Sequence, residues 1–388
     1  MGERLSAEGL DRFAEVAAGH IAPDDIPGLV AAVACGDEIH VEALGQLTIG
    51  GPPVRRDSLF RIASTTKPLT GAATMALVGE GLLRLDEPVE RLLPELADPQ
   101  VLVRMDGPLD ETVPADRPPT VRDVLTFTFG FGMAVEMFAA GEPWPVVSAC
   151  DELSLCTLGP PMPEAQPDPD TWIARLGSLP LLAQPGDRWL YNTGASVLGV
   201  LCARAAGLPF DAVLRSRVFE PFGMTDTAFY ARERSRLATA YRATPDGLVV
   251  WDAPDGQWSH PPVFADGAAG LVSTADDLLG FGRALLRGGE PALSPDLVAQ
   301  MTADQLTPAQ RRRSGPFLDE RSWGFCHAVA VSGEHAGAFG WDGGLGTSWL
   351  VDPAHDLVVV VLTQRMWDTA SLPPIHRELQ AAAYGALV

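Results

Sequence analysis

Strand-like text stands at both ends of this 388-residue chain and helical text fills its middle, and that distribution narrows the possible folds more than any other feature. Near the start, Gly28 to Cys35 and Glu38 to Gly45 are apolar runs with β-branched residues, joined by Gly36-Asp37 as a hairpin. Ser58 to Ile62 reads as a short extended piece, and a helical pattern runs from Ser64 to about Gly81. Strand-like segments return at Trp323 to Val331, Ala336 to Phe339, Thr347 to Asp352 and Leu357 to Thr363. An amphipathic stretch through Val16 and Ala17 precedes the first hairpin, and a closing helix spans about Pro374 to Ala386. Between them, residues 86–315 are rich in helical segments, turns and proline; Gly141 to Asp170 has no steady period and reads as a long surface loop. The economical arrangement is an α/β (α+β) fold with one antiparallel sheet built from both ends and flanked by terminal helices. Residues 1–85 plus 316–388 would form that α/β domain, residues 86–315 an inserted, mainly helical domain, and a cleft would lie between the two.

Bulk properties exclude several function classes. Fifty acidic against 28 basic side chains give a net charge of −22, which repels nucleic acid and anionic lipid. Apolar runs such as Val358 to Leu362 are far too short for a membrane span. The five cysteines are scattered and odd in number, and no basic-then-apolar leader stands at the start. These features point to free thiols and a cytoplasmic setting, with neither nucleic acid nor membrane as partner.

Among the cationic residues, Lys67 is the only lysine; every other one is arginine. Arginine stays protonated at working pH, whereas a desolvated lysine can lose its proton. Lys67 closes the motif Ser64-Thr65-Thr66-Lys67, and residues three apart share a helix face. Pro68 belongs in a first helical turn, so Ser64 sits at the helix N-terminus, where free N–H groups favour a developing anion. A serine hydroxyl needs a base beside it, and Lys67 can be that base or can orient the true one.

Further motifs accompany Ser-x-x-Lys. They are Leu59 to Ser64, Glu80 to Pro88, Thr120 to Thr126, Tyr191-Asn192-Thr193, Gly270 to Asp277 and Gly340-Trp341-Asp342-Gly343-Gly344. In these the chain resembles the serine β-lactamase and penicillin-binding protein superfamily, closest in pattern to class C β-lactamases, DD-peptidases and related esterases. The resemblance implies a β-lactamase-like fold in which the deprotonated phenol of Tyr191 takes the serine proton, with Lys67 as the cation beside it. It implies an oxyanion hole from the Ser64 and Gly344 amides. Thr193 stands where the family has asparagine, so either Asn192 or Thr193 would contact substrate. Trp341 replaces the lysine that grips a carboxylate in β-lactam recognition, which points to esters or neutral amides. Trp341, Asp342, Gly343 and Asn192 would shape the substrate site, with the glycines letting substrate lie against the strand.

Gly-x-Ser-x-Gly, His-Glu-x-x-His and phosphate-loop patterns are absent from the sequence. His335 reads as an edge-strand side chain near the third motif, and Trp144 as a wall of the cleft. The expected function is a serine hydrolase that forms an acyl-enzyme on Ser64, a carboxylesterase on small esters, with no metal or organic cofactor. Alternatives on the same fold are a β-lactamase, a D-aminopeptidase or amidase, or an acyltransferase; from another class, a binding or covalent sensor protein without turnover. The partner is a small ester or amide, and the oligomeric state stays open.

Overall fold

The computed structural model describes residues 3–319, 321–369 and 371–388. A seven-stranded antiparallel sheet organises it. Its strands are β1 (Gly28–Cys35), β2 (Glu38–Gly45), β3 (Ser322–Trp323), β4 (Ala328–Val329), β5 (Phe339–Gly343), β6 (Thr347–Asp352) and β7 (Leu357–Thr363). They lie in the order β2-β1-β7-β6-β5-β4-β3, so the sheet is closed by pairing the first hairpin with the last strand, Leu29 opposite Thr363 through Cys35 opposite Leu357.

Both faces of this sheet are covered, which explains the unbroken apolar text of β1 and β7. Leu29, Ala31, Val33, Val359 and Val361 face one core with Phe13, Ala17, Ile375, Leu379 and Ala383. The last five come from the terminal helices α1 (Ala7–Gly19) and α5 (Pro374–Tyr384). The alternating residues Val30, Ala32, Ala34, Val358, Val360 and Leu362 join the larger core on the other face. That inner face receives α4 (Ala275–Leu286): the Trp349 indole donates to Leu278 O at 3.1 Å and stacks on Phe281. Thus one helix from the 86–315 span packs on the sheet, because Gly282 lets it approach Val358 within 2.7 Å of where a Cβ would stand.

Helix α2 (Thr66–Gly79) runs through the centre, with every residue from Thr66 to Leu77 buried. A short helix enclosed on all sides cannot be amphipathic, and small residues let its neighbours come close. Helix α3 (Thr193–Ala206) packs along it, with Thr74 Oγ1 and Cys202 Sγ 3.3 Å apart. The stretch from Gly141 to Asp170, expected as a long surface loop, contains the helix Pro145–Glu152 and the start of the helix Pro169–Gly177. Each is too short for a periodic signal, and each begins with proline at a first-turn position. Among the described residues, no single helix is long and apolar enough to cross a membrane.

Candidate active site

Ser64 lies in a 3-10 turn, Ala63–Thr65, that feeds directly into α2; Lys67 and Pro68 occupy its first α-helical turn. The turn is strained at its start, since Ala63 has φ +44°, a region L-residues rarely adopt. The sheet holds it there. Thr347 Oγ1 of β6 donates to Ile62 O at 3.0 Å and lies 3.2 Å from Thr65 Oγ1. A Cβ on Gly343 would stand 2.3 Å from Ile62 O, so β5 reaches the nucleophile segment only because that residue is glycine.

Lys67 is completely buried beneath the serine. Its Nζ donates to Ser64 Oγ at 2.8 Å and to Ala268 O at 2.8 Å, and lies 4.7 Å from the Tyr191 ring centroid. Burial pulls the amine down to about 7, against the opposing pull of Asp266. Asp266 is itself buried and held by Ser196 Oγ at 2.7 Å and the Ala268 N–H at 2.9 Å. The segment 266–268 is therefore the cradle of the amine, and sequence reasoning missed it. The signal was the glycine-rich run Asp266-Gly267-Ala268-Ala269-Gly270; a Cβ on Gly267 would meet Ala195 O at 2.5 Å.

Tyr191 arrives from the strand-like segment ahead of α3, through a tight turn. Asn192 has φ +80° and ψ −64°, and Thr193 N–H donates to Tyr191 O at 3.2 Å, a strained γ-turn. The phenol oxygen accepts the Trp341 indole N–H at 2.8 Å. Burial pushes the phenol well above its ordinary value, while hydrogen bonding from Ser64 and Trp341 works against that rise.

These groups open onto a cleft of about 630 Å³ lined by Ser64, Tyr191, Asn192, Trp341, Asp342 and Gly344 among others. Asn192 Nδ2 is engaged with Thr157 O at 2.7 Å. Gly344 is exposed, its carbonyl accepts the Trp367 N–H at 2.9 Å, and neither its N–H nor that of Ser64 donates to a backbone carbonyl in the described turns and loops. Arg321 lies over the Trp341 ring and 3.5 Å from Asp342 Oδ2; burial raises the Asp342 carboxyl and Arg321 counters it.

Four expected residues fall elsewhere. Thr193 is fully buried at the start of α3, where its hydroxyl accepts from Thr157 Oγ1 at 3.0 Å, so it does not line the cleft. Gly343 touches the Ile62 backbone instead of the cleft. Trp144 is half-buried outside the cleft, and Phe138, Leu158 and Pro160 from nearby form the wall. His335 sits in the turn between β4 and β5 and stacks on Tyr384, at the sheet end away from Ser64.

The chain is similar in sequence to two known proteins and in fold to a solved structure. Protein Rv1367c of Mycobacterium tuberculosis (strain ATCC 25618 / H37Rv) is 39% identical over 349 residues, 85% of this chain and 83% of its own. Esterase EstB of Burkholderia gladioli is 32% identical over 362 residues, 86% of this chain and 84% of its own. The solved structure described as EstCE1, a hydrolase with promiscuous acyltransferase activity, superposes with a TM-score of 0.82 at 24% identity. It covers 97% of this chain and 99% of that one, a likeness of fold alone. A family model described as Beta-lactamase matches residues 13–383, and with it the chain belongs to the beta-lactamase family.

Proposed function

We propose that the protein is a carboxylesterase-type serine hydrolase whose nucleophile is Ser64 and whose general base is Lys67. One observation carries this reading: the only lysine of the chain is fully buried, drawn down to about 7, and 2.8 Å from the serine oxygen. At neutral pH a large fraction of such an amine is neutral and can take a proton. The esterase name of the Burkholderia relative supports the same class.

In acylation, Ser64 Oγ bonds to the ester carbonyl carbon while its proton passes to Lys67 Nζ. The Ser64 and Gly344 amides hold the oxyanion. The Trp341 N–H occupies a lone pair of the Tyr191 oxygen and leaves the phenolic proton for the serine side. As the C–O bond breaks, Tyr191 gives that proton to the departing alkoxide, and a phenolate stands beside the Lys67 ammonium. Water then enters: the phenolate takes its proton, hydroxide oxygen bonds to the acyl carbon, and, as the bond from that carbon to Ser64 Oγ breaks, Lys67 returns a proton to Oγ. All three groups regain their starting state. An alcohol in place of water gives acyl transfer by the same steps. Phe138, Met133, Leu158, Phe317 and Trp367 make the cleft wall largely apolar, which suits a hydrophobic acyl or alcohol group.

Replacement of the family's lysine by Trp341 supports small esters over β-lactams as substrates. The free, mostly buried thiols support a cytoplasmic site of action. We further assign α4 to the α/β part of the chain, and the rest of the 86–315 span to a helical insert that carries Tyr191 and Asp266. The decisive experiment is Ser64→Ala in pure protein assayed with a short-chain nitrophenyl ester, with intact mass after substrate. The expected results are loss of turnover and of the acyl adduct; retained activity refutes the nucleophile.

A further inference from the structure

Away from the cleft, His335, Asp352 and His355 bring their side-chain ligand atoms within 4.8 Å of one another. Asp352 ends β6, His355 follows in the turn to β7, and His335 comes from the turn between β4 and β5. Asp352 is fully buried, and among the described residues no arginine or lysine pairs with it. Its carboxylate takes the Ala354 N–H at 2.9 Å and the Tyr384 hydroxyl at 2.8 Å, both neutral donors. A carboxylate so enclosed retains a desolvation penalty that a cation in contact would offset.

The imidazoles are placed to supply that contact. His335 Nδ1 is enclosed, lies 3.8 Å from Asp352 Oδ2 and has no hydrogen-bond partner. Its ring is stacked on Tyr384 with centroids 3.7 Å apart and planes at 16°, so packing fixes where that nitrogen points. His355 Nδ1 meets Glu3 Oε2 at 2.8 Å. A carboxylate on an imidazole nitrogen is the common outer partner of a metal-bound histidine.

We propose that His335, Asp352 and His355 form a binding site for one divalent transition-metal ion, zinc by its donor set, with Glu3 orienting His355 or completing the coordination. Two imidazoles and a carboxylate suit zinc better than calcium or magnesium, which prefer all-oxygen sites. Donors around a tetrahedral zinc stand about 3.3–3.5 Å apart, so loading draws the two turns together by about 1 Å. The ion ties the segment carrying Glu3 to both turns and, through Tyr384, to α5. It takes no part in hydrolysis. Thr347 at the other end of β6 touches Thr65, and the length of the strand, about 3.3 Å for each residue step, separates that contact from Asp352.

Protein stripped with EDTA and titrated with Zn²⁺ should bind one equivalent and melt at a higher temperature. Co²⁺ in its place should give the visible absorption of a four-coordinate ion. His335→Ala and His355→Ala should each weaken uptake by about 100-fold or more, and Glu3→Gln by about 10- to 100-fold. Circular dichroism verifies that each variant is folded, and ester hydrolysis by the metal-free proteins should be unchanged. Lack of a stoichiometric equivalent in folded wild-type protein overturns the proposal. So does undiminished uptake in the folded double histidine variant.

Discussion

Replacing Lys67 with methionine should stabilise the protein near pH 7 while abolishing turnover. Burial takes the amine from 10.5 to about 7. At about 1.4 kcal/mol per pH unit this is roughly 4–5 kcal/mol against the folded state at low pH and about 4 at pH 7. Methionine fills similar space without charge. It gives up the hydrogen bonds to Ser64 Oγ and Ala268 O, about 1 kcal/mol each, so the variant should gain about 2 kcal/mol at pH 7. Between pH 7 and 10.5 the native amine holds fewer protons than the unfolded one, so wild-type stability climbs through that window while position 67 of the variant contributes no such slope. The gain should shrink and change sign by about pH 10.5. Urea unfolding of both proteins at pH 7, 8.5 and 10, followed by tryptophan fluorescence, reads the difference. A variant less stable than wild type at pH 7, or a gap that does not move with pH, refutes the buried-amine reasoning.

The free-enzyme profile of kcat/KM should rise with pH through a single ionisation near 7 and then level off, since acylation requires neutral Lys67; a flat profile from pH 5.5 to 8.5 excludes the amine as base. Trp341→Phe keeps an aromatic ring but removes the 2.8 Å donor to Tyr191, and kcat should fall by about 5- to 10-fold with KM little changed; stopped-flow measurement of acylation checks this. Gly343→Ala places a Cβ 2.3 Å from Ile62 O, so a melting scan should register a loss of about 1–3 kcal/mol and ester turnover should drop with it.

Much of the frame was legible because its signals are local. The hairpin over Gly28 to Gly45 and the run Leu357 to Thr363 carry strand character in their own residues, and both appear as strands. Ser64 and Lys67 were legible because side-chain identity marks them, and the structure does bring them to within 2.8 Å. Ala268, which holds the same amine, was invisible: it acts through a backbone carbonyl, which every residue possesses, from 201 positions away. Thr193 misled for the opposite reason. Its place in the motif suggested substrate, but the γ-turn at Asn192 makes it the first residue of α3 and turns it toward Thr157. The glycines of the third motif were read as letting substrate lie against the strand; what approaches Gly340 and Gly343 is protein backbone, Trp349 O at 2.1 Å and Ile62 O at 2.3 Å from a notional Cβ.

The pairing of β1 with β7 also constrains how the molecule comes into being. On the ribosome the first hairpin emerges well before its partner strand, Leu357–Thr363, because the whole intervening span is synthesised between them. Until then one edge of β1 is unpaired and both its faces are exposed, an invitation to association between nascent chains. The serine and lysine can meet within a few residues of each other, but the strand register that fixes them waits for a strand distant in sequence. Truncated translation products of this protein should therefore be insoluble or chaperone-bound, and inactive, even when they contain every residue that meets substrate.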